Sequence, residues 1–595
     1  MNPGNLPRIG VVLCCCGNEI REALDFVQIE EYIRALPGVV YFKTDAYPCS
    51  RPGIANLIKA IRENQLERIV IAGCTPRLHG KLVAEACESA GLNRWFVDVA
   101  NVREHCSRVH RDKSKASEKA RALIGASVRK VGLAKPYEPV RVLPKNSVLV
   151  IGGGVSGLSA AAELENLHQE VTLIEKKDVL GGMLLQLAKP YPYSRTGRQI
   201  VEEKISRIEG KVRILKRTEL VSLRGGPGQY VAKLSTDGKT GEEEFGAVVV
   251  ATGADCVGLK ELLETPPLNR ISGFGGRILT QIDLETELWN ESLKGARSVL
   301  FVTIPAPQLS HSSSRVYSVV ALKNAATLKE TNPELEIWFI FKEVPTDLER
   351  EFRRAKHAGV KFVRFDDEKT IEVVKNGLRV GERVAHQGSV RADKGAGGGA
   401  SGSLDSALSF GNAPSPDSAL SPESTLKIAA DVIVLPAFLR PPNGSSKLGE
   451  LLRIPVDMHG FFIEQHTKLR PGDFVEKGIF VAGSCHSPAT ILESIAQAIA
   501  AASRASRVVS GEIVRAPLLS KIDRKVCRGC SRCAQACRWD AIEMVTLENS
   551  LKLALVDETL CTGCGVCSTV CINGAPSLAP VSQDQIKAML EVVGG

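Results

Sequence analysis

Apolar and polar positions change period several times along the chain. Over residues 1–110, apolar, β-branched runs recur at RIGVVL (8–13), VVYFKTDAY (39–47), ERIVIAG (67–73) and RWFVDVAN (94–101), separated by amphipathic stretches such as VQIEEYIRAL and GIANLIKAIREN. Strands alternating with helices predict a parallel, doubly wound α/β sheet. A basic helix and a proline-marked linker follow over 111–146. A second unit, 147–295, opens with VLVIGGGVSGLSAAAELENLHQEVTLIEKK, which reads strand, glycine turn, helix, strand, and runs on to AVVVATGA. A further α/β segment, 296–384, has the strands SVLFVTI, ELEIWFIF and VKFVRF and a helix at ALKNAATLKE. Residues 385–425 contain GAGGGASGS, which buries too little apolar surface to offset its ordering entropy and reads as a flexible insertion. Order resumes at AADVIVLPAF, and GIFVAGSCHSPATILESIAQAIAAA closes the segment 426–514. The tail, 515–595, is cysteine-rich and holds an internal repeat.

Composition narrows the class. The chain has 595 residues, 44% hydrophobic and 24% charged, which is ordinary for globular protein. No apolar run approaches the ~20 residues of a membrane-spanning helix. The N-terminal MNPGNLPRIGVVL reads as a strand rather than a signal peptide, so a cytoplasmic location is expected. The net charge of +9 is mild, and basic residues are scattered except from Arg103 to Lys145. That stretch reads as a solvated helix face or a docking surface for an acidic partner; nucleic-acid binding is not expected.

The 17 cysteines are unevenly spread, with seven before residue 110 and eight after residue 526. The tail reads CRGCSRCAQAC from Cys527 and CTGCGVCSTVC from Cys561, each C-x2-C-x2-C-x3-C. This spacing wraps three thiolates round one cubane while the fourth ligates the other cluster. Cys527, Cys530, Cys533 and Cys571 are therefore assigned to one [4Fe-4S] cluster, and Cys561, Cys564, Cys567 and Cys537 to a second. Arg538 and Ile572 stand where proline commonly follows the fourth cysteine. Zinc would call for separate pairs rather than two triplets-plus-one.

The glycine run has the context that a dinucleotide site needs. Gly152, Gly154 and Gly157 follow a strand and open a helix, and Glu175 ends the next strand, where its carboxylate can meet the ribose hydroxyls. FAD is the expected cofactor, held by Gly152, Gly154, Ser156, Gly157, Glu175, Lys176, Gly182, Met183, Ala251, Thr252, Gly253, Gly483 and Ile491. The helix starting near Ile491 is expected to place its positive end by the isoalloxazine ring. No proton-transfer residue is singled out. The segment after SVLFVTI is PAPQLSHSSS, without glycine, so a nicotinamide site is not expected there.

In the N-terminal unit, each strand is followed by cysteine: Cys14, Cys15 and Cys16, then Cys49, Cys74 and Cys106. In a parallel sheet those ends share one edge, where ligands bind. A third [4Fe-4S] cluster is expected on Cys16, Cys49, Cys74 and Cys106, with Cys14 the alternative to Cys16. Buried structural thiols or a redox-sensing pair are the competing readings. Cys87 falls inside a helix and reads as packing.

The order of these parts resembles the A-type chain of heterodisulfide reductase, a family of iron–sulfur flavoproteins. The matching strings are CCCG (14–17), CSRPG (49–53), AGCTPRLHG (72–80), NVREHCSRVH (101–110), ALKNA (321–325), GFFIEQHTKLRP (460–471) and IFVAGSCHSPATI (479–491). The resemblance implies thioredoxin-reductase-like FAD domains, an α+β double ferredoxin, and a hetero-oligomer, built on a dimer in one version. Its partners would be B- and C-type subunits, ferredoxin, and an electron-input module of the hydrogenase, formate dehydrogenase or NADH-linked kind. It also implies flavin-based electron bifurcation. Three departures stand out: no cysteines in MLLQLAKPYPYSRTGRQ, Ser313-Ser314-Arg315-Val316-Tyr317-Ser318 in place of a CSRICC-like string, and no inserted ferredoxin domain. The competing expectation is a stand-alone NAD(P)H-dependent flavin oxidoreductase that reduces ferredoxin.

Overall fold

A computed structural model describes residues 6–594 except 138–139, 291–292, 294, 307–313, 344, 366–370, 375–376, 382–424, 476, 516–518, 548–549 and 559. The chain divides into two compact units, Met1–Val142 with Glu512–Gly595, and Leu143–Gly511. Both are α/β, and among the described residues no helix is long and apolar enough to cross a membrane.

The first unit is built on four strands, β1 (Ile9–Cys14), β2 (Val39–Asp45), β3 (Arg68–Gly73) and β4 (Val97–Asn101), in the order β2-β1-β3-β4. All neighbours pair in parallel, so their C-terminal ends lie on one edge. The order reverses between β1 and β3, which creates the crevice where open α/β sheets take ligands. Val11, Leu13, Val70 and Ala72 fill the core beneath.

The basic stretch read as helix and linker is part of this unit. The helix Lys113–Gly132 buries Ala116, Ala120, Ile124 and Val128 in the core formed by β1 and β3. It also packs against the helix Gln583–Val593, where Gln585 Nε2 donates to the Lys130 carbonyl at 2.8 Å. Val140–Val142 pairs antiparallel with Ile513–Arg515. The N-terminal α/β domain and the cysteine-rich tail, far apart in sequence, thus fold together.

The second unit holds two parallel five-stranded sheets. The first runs Ile479–Val481, Ala247–Val250, Ser147–Ile151, Glu170–Glu175, Arg213–Lys216, with the helices Val155–Asn166 and Ile491–Val509 packed against one face. The other runs Arg277–Thr280, Val432–Leu435, Ser298–Thr303, Glu336–Phe341, Lys361–Arg364. This corrects the boundaries read from sequence: Arg277–Thr280 and Val432–Leu435, placed at 147–295 and 426–514, belong to the second sheet, not to the FAD sheet. Both are apolar runs, and sequence alone does not say which sheet an apolar strand enters. The insertion expected at 385–425 lies outside the described residues, save that Thr425 opens the strand Thr425–Ala429.

Candidate functional site

The glycine turn assigns each glycine a separate task. A Cβ on Gly152 (φ +109°) would meet the Ala251 carbonyl oxygen at 2.4 Å, so the turn itself demands glycine. A Cβ on Gly157 would meet the Gly152 carbonyl oxygen at 1.7 Å, so close helix–strand packing demands it. A Cβ on Gly154 would meet nothing within 4 Å. Gly154 is the N-cap of the helix Val155–Asn166 and receives no side-chain cap, so its open side faces the place a pyrophosphate takes on a helix N-terminus. Glu175, buried at the end of its strand, accepts from the Gly153 amide at 2.7 Å and the Lys177 amide at 2.9 Å.

These groups open into one cavity of about 460 Å³. Of the residues expected to hold FAD, Gly152, Gly154, Ser156, Glu175, Lys176, Gly182, Met183, Ala251, Thr252, Gly253 and Ile491 line it. Gly157 and Gly483 do not. Gly157 packs the helix, and a Cβ on Gly483 would strike Ser156 Oγ at 2.1 Å, so both shape the wall from behind. The helix Ile491–Val509 presents its N-terminus through a capping box: the Thr490 hydroxyl accepts from the Glu493 amide, and Glu493 accepts from the Thr490 amide at 2.8 Å. Arg315 pairs with both Glu493 and Asp347.

Sequence reasoning missed a polar cluster in the same wall. Lys323, 5% exposed, pairs with buried Glu285 and donates to Asn324. Asn324 Nδ2 donates to Gln281 Oε1 at 2.9 Å, and Glu285 also accepts from the Ala188 amide at 2.9 Å. Burial pushes the Lys323 ammonium below the usual lysine range, with Glu285 opposing. Gln281 Nε2 is buried without an acceptor and lines the cavity, so the site holds a donor awaiting a polar ligand. The available signal was a Lys-Asn pair in the otherwise apolar VYSVVALKNAATL. An open glycine, a strand-end carboxylate, a helix N-terminus and an orphaned donor together fit a dinucleotide. The turn expected to exclude nicotinamide falls mostly on residues 307–313, outside those described.

In the tail, Cys527, Cys530, Cys533 and Cys571 line one small cavity, the set expected for one cluster. Cys561 lies within electrostatic reach of Cys567 and Cys537, three members of the other set. The thiols receive amide donors: Ser520 N to Cys561 Sγ and Ala541 N to Cys537 Sγ, each at 3.4 Å. Such bonds favour the thiolate that iron requires. Among the described residues no three side chains are placed on a single metal ion.

At the N-terminal edge the structure brings Cys14, Cys16, Cys49 and Cys74 within electrostatic reach of one another. Cys16 adopts φ +48°, unusual outside glycine, and its amide donates to Cys14 Sγ at 3.2 Å. Arg103 Nη1 donates to Cys16 Sγ at 3.2 Å. Cys106 shares the core cluster of Cys14, with Cys16 packed against it, and no charge interaction with the other thiols is resolved for it among the described residues. The short helix Arg103–Ser107 turns it into the core, fully buried, where burial pushes its thiol to about 11 and its charged neighbour is Lys119. Cys14, read from sequence as the alternative to Cys16, stands beside it and near Cys49 and Cys74, its thiol pushed to about 12 by burial. Cys87 is buried within the helix Pro76–Ser89.

A flavin-type nucleotide cavity and a thiol-lined tail define an iron–sulfur flavoprotein oxidoreductase. Residues 146–292 match the pyridine nucleotide-disulphide oxidoreductase family and residues 526–575 the 4Fe-4S dicluster domain. The chain is 28% identical to the second iron–sulfur A-type chain of CoB--CoM heterodisulfide reductase from Methanopyrus kandleri, covering 92% of both chains. It is 27% identical to the A-type chain of H(2):CoB-CoM heterodisulfide,ferredoxin reductase from Methanothermobacter marburgensis, covering 90% of this chain and 91% of that one. Over nine-tenths of its length the chain is thus similar to A-type chains of heterodisulfide reductase. Among solved structures it resembles thioredoxin reductase from T. acidophilum, with 13% identity and a TM-score of 0.37 over 61% of this chain and 98% of that one.

Proposed function

We propose that this chain is the flavin-bearing component of a heterodisulfide-reductase-like complex and works at the crossing between paired and single electrons. The carrying observation is the joint presence in one chain of the dinucleotide cavity and the thiol sets of the tail. Bound FAD and [4Fe-4S] clusters supply the redox chemistry, the former in one- and two-electron steps and the latter in single electrons. The chain's residues bind and tune. Glu175 would accept from the ribose hydroxyls, and the amides after Gly154 would hold the pyrophosphate. The N-terminus at Thr490 lends positive partial charge where reduction builds negative charge. Lys323 and Glu285 form a buried pair in the wall of the cavity. Gln281 Nε2 has room for a polar atom of the ring.

Cys14, Cys16, Cys49 and Cys74 support a third centre in the N-terminal domain. Arg103 there offsets negative charge at Cys16. The partners in this reading are B- and C-type subunits, an electron-input module and ferredoxin, in the cytoplasm. The relatives' names supply the heterodisulfide and ferredoxin as acceptors. Electron bifurcation is the finer form of the reading. Val316 of the cysteine-free segment lines the FAD cavity, so a single-electron branch from the flavin proceeds without a thiol ligand from that segment.

The test is the composition and electron paramagnetic resonance of anaerobically purified protein. One FAD per chain, about eight iron from the tail and about four from the N-terminal site are expected. Reduced-cluster signals should accompany them. A chain that takes up flavin but no iron overturns the reading.

A further inference from the structure

The two cysteine runs of the tail are alike in ligand spacing and opposite in charge. From Arg524 to Arg538, the first run carries Arg524, Lys525, Arg528, Arg532 and Arg538 and no acidic residue. The equivalent stretch of the second run, Glu558 to Ile572, carries one acidic residue and no basic one. All five basic side chains are exposed, and none has an ion-pair partner among the described residues. Elsewhere on the chain exposed arginines commonly find carboxylates, as Arg213 finds Glu243 and Arg354 finds Glu330. Unpaired positive charge is thus concentrated in the first run.

Part of that charge lies at the redox site itself. Arg528 and Arg532 line the same small cavity as Cys527, Cys530, Cys533 and Cys571. Cys530 is exposed, but so is its counterpart Cys564, so exposure does not distinguish the two runs; charge does. Beside Cys571 stands Ile572, 77% exposed. Exposed apolar and basic side chains next to one thiol set suit a transient protein interface, in which charge steers encounter and sets orientation.

We infer that the cluster of the first run is the port at which this chain exchanges electrons with a small acidic redox protein, docked on Arg528 and Arg532 beside that cluster's thiols. The inference rests on the proposed electron-transfer role and adds which cluster faces the carrier and what the carrier's surface must be. In the step itself one electron leaves the reduced cluster, which is oxidised, and enters the carrier, which is reduced. No bond forms or breaks and no proton is required.

The test uses the full-length holoprotein and, as probe, a small acidic 2[4Fe-4S] ferredoxin. The first readout is its dissociation constant as a function of salt, with no turnover involved. The second is the rate of electron transfer after reducing the clusters directly with dithionite, which makes the result independent of how the flavin is loaded. Binding should weaken at least tenfold between low and moderate salt. Arg528→Glu with Arg532→Glu should weaken it at least tenfold at low salt, with the two proteins converging at high salt. Arg528→Lys with Arg532→Lys should keep most of the affinity, and Glu558→Lys, beside the second run, should leave the charge-reversal effect in place. Unchanged cluster absorption shows that the variants are assembled. Salt-independent binding, equal loss from the lysine pair, or equal affinity for a short single-stranded RNA would overturn the inference. A holoprotein that assembles no clusters would instead overturn the electron-transfer reading beneath it.

Discussion

Arg103 reaches across from the end of β4 to donate to Cys16, which follows β1, at 3.2 Å. The contact ties two strand ends of the sheet, and Arg103 is further held by Glu19 and Glu104. A guanidinium at a ligating sulfur favours the reduced, more negative state of a cluster. Arg103→Ala should therefore lower the potential of the N-terminal centre while the tail signals stay fixed, as read by a redox titration followed by electron paramagnetic resonance.

The same edge decides between two cysteines. Cys14→Ser should cost the N-terminal site its iron, about four per chain. Cys106→Ser should keep the iron and lose only packing, because the Cys106 thiol sits in the core beside Lys119. Iron per chain in the two purified variants separates them, and the opposite outcome would restore Cys106 as the ligand.

The glycine turn gives a contrast within four residues. Gly154→Ala places its methyl in open space, so the protein should fold with little change but bind FAD at least tenfold more weakly. Gly157→Ala drives its methyl into the Gly152 carbonyl, so folding itself should suffer. Flavin content against thermal unfolding of the apoprotein distinguishes the two.

Lys323 and Glu285 form a buried pair, so removing one partner strands the other. Lys323→Met should destabilise the second unit by about 3–5 kcal/mol, whereas Lys323→Met with Glu285→Met should recover much of that loss. Denaturant unfolding of single and double variants checks it.

Asp431 links two strands of the second sheet, accepting from the Arg297 amide at 2.8 Å and the Ser298 amide at 3.0 Å. These bonds hold its carboxyl below the ordinary value of 3.8. A depressed folded-state value means the stabilisation is complete above that ordinary value and fades as pH falls through the folded one. Asp431→Asn should flatten the acid limb of a stability profile below about pH 4.

Several of these features were legible in the sequence. Cys49 and Cys74 could be placed on one edge because apolar, β-branched runs mark strand ends closely. The tail sets followed from spacing alone. Cys106 was harder to place because four residues separate it from Asn101, and the short helix Arg103–Ser107 carries it into the core. Glu285 was silent because its partner lies 38 residues on and only the fold brings them together. The packing of Gln583–Val593 on Lys113–Gly132 was equally hidden: both are amphipathic, and periodicity names a face without naming what covers it.

Electrons are held to pass between flavin and clusters rather than from a nicotinamide bound to this chain. The most direct measurement of that claim is an anaerobic titration of the full holoprotein with NADH, NADPH and then reduced ferredoxin, following flavin absorbance. No bleaching by either nicotinamide and reduction of the flavin by ferredoxin are expected; rapid bleaching by a nicotinamide would contradict the claim.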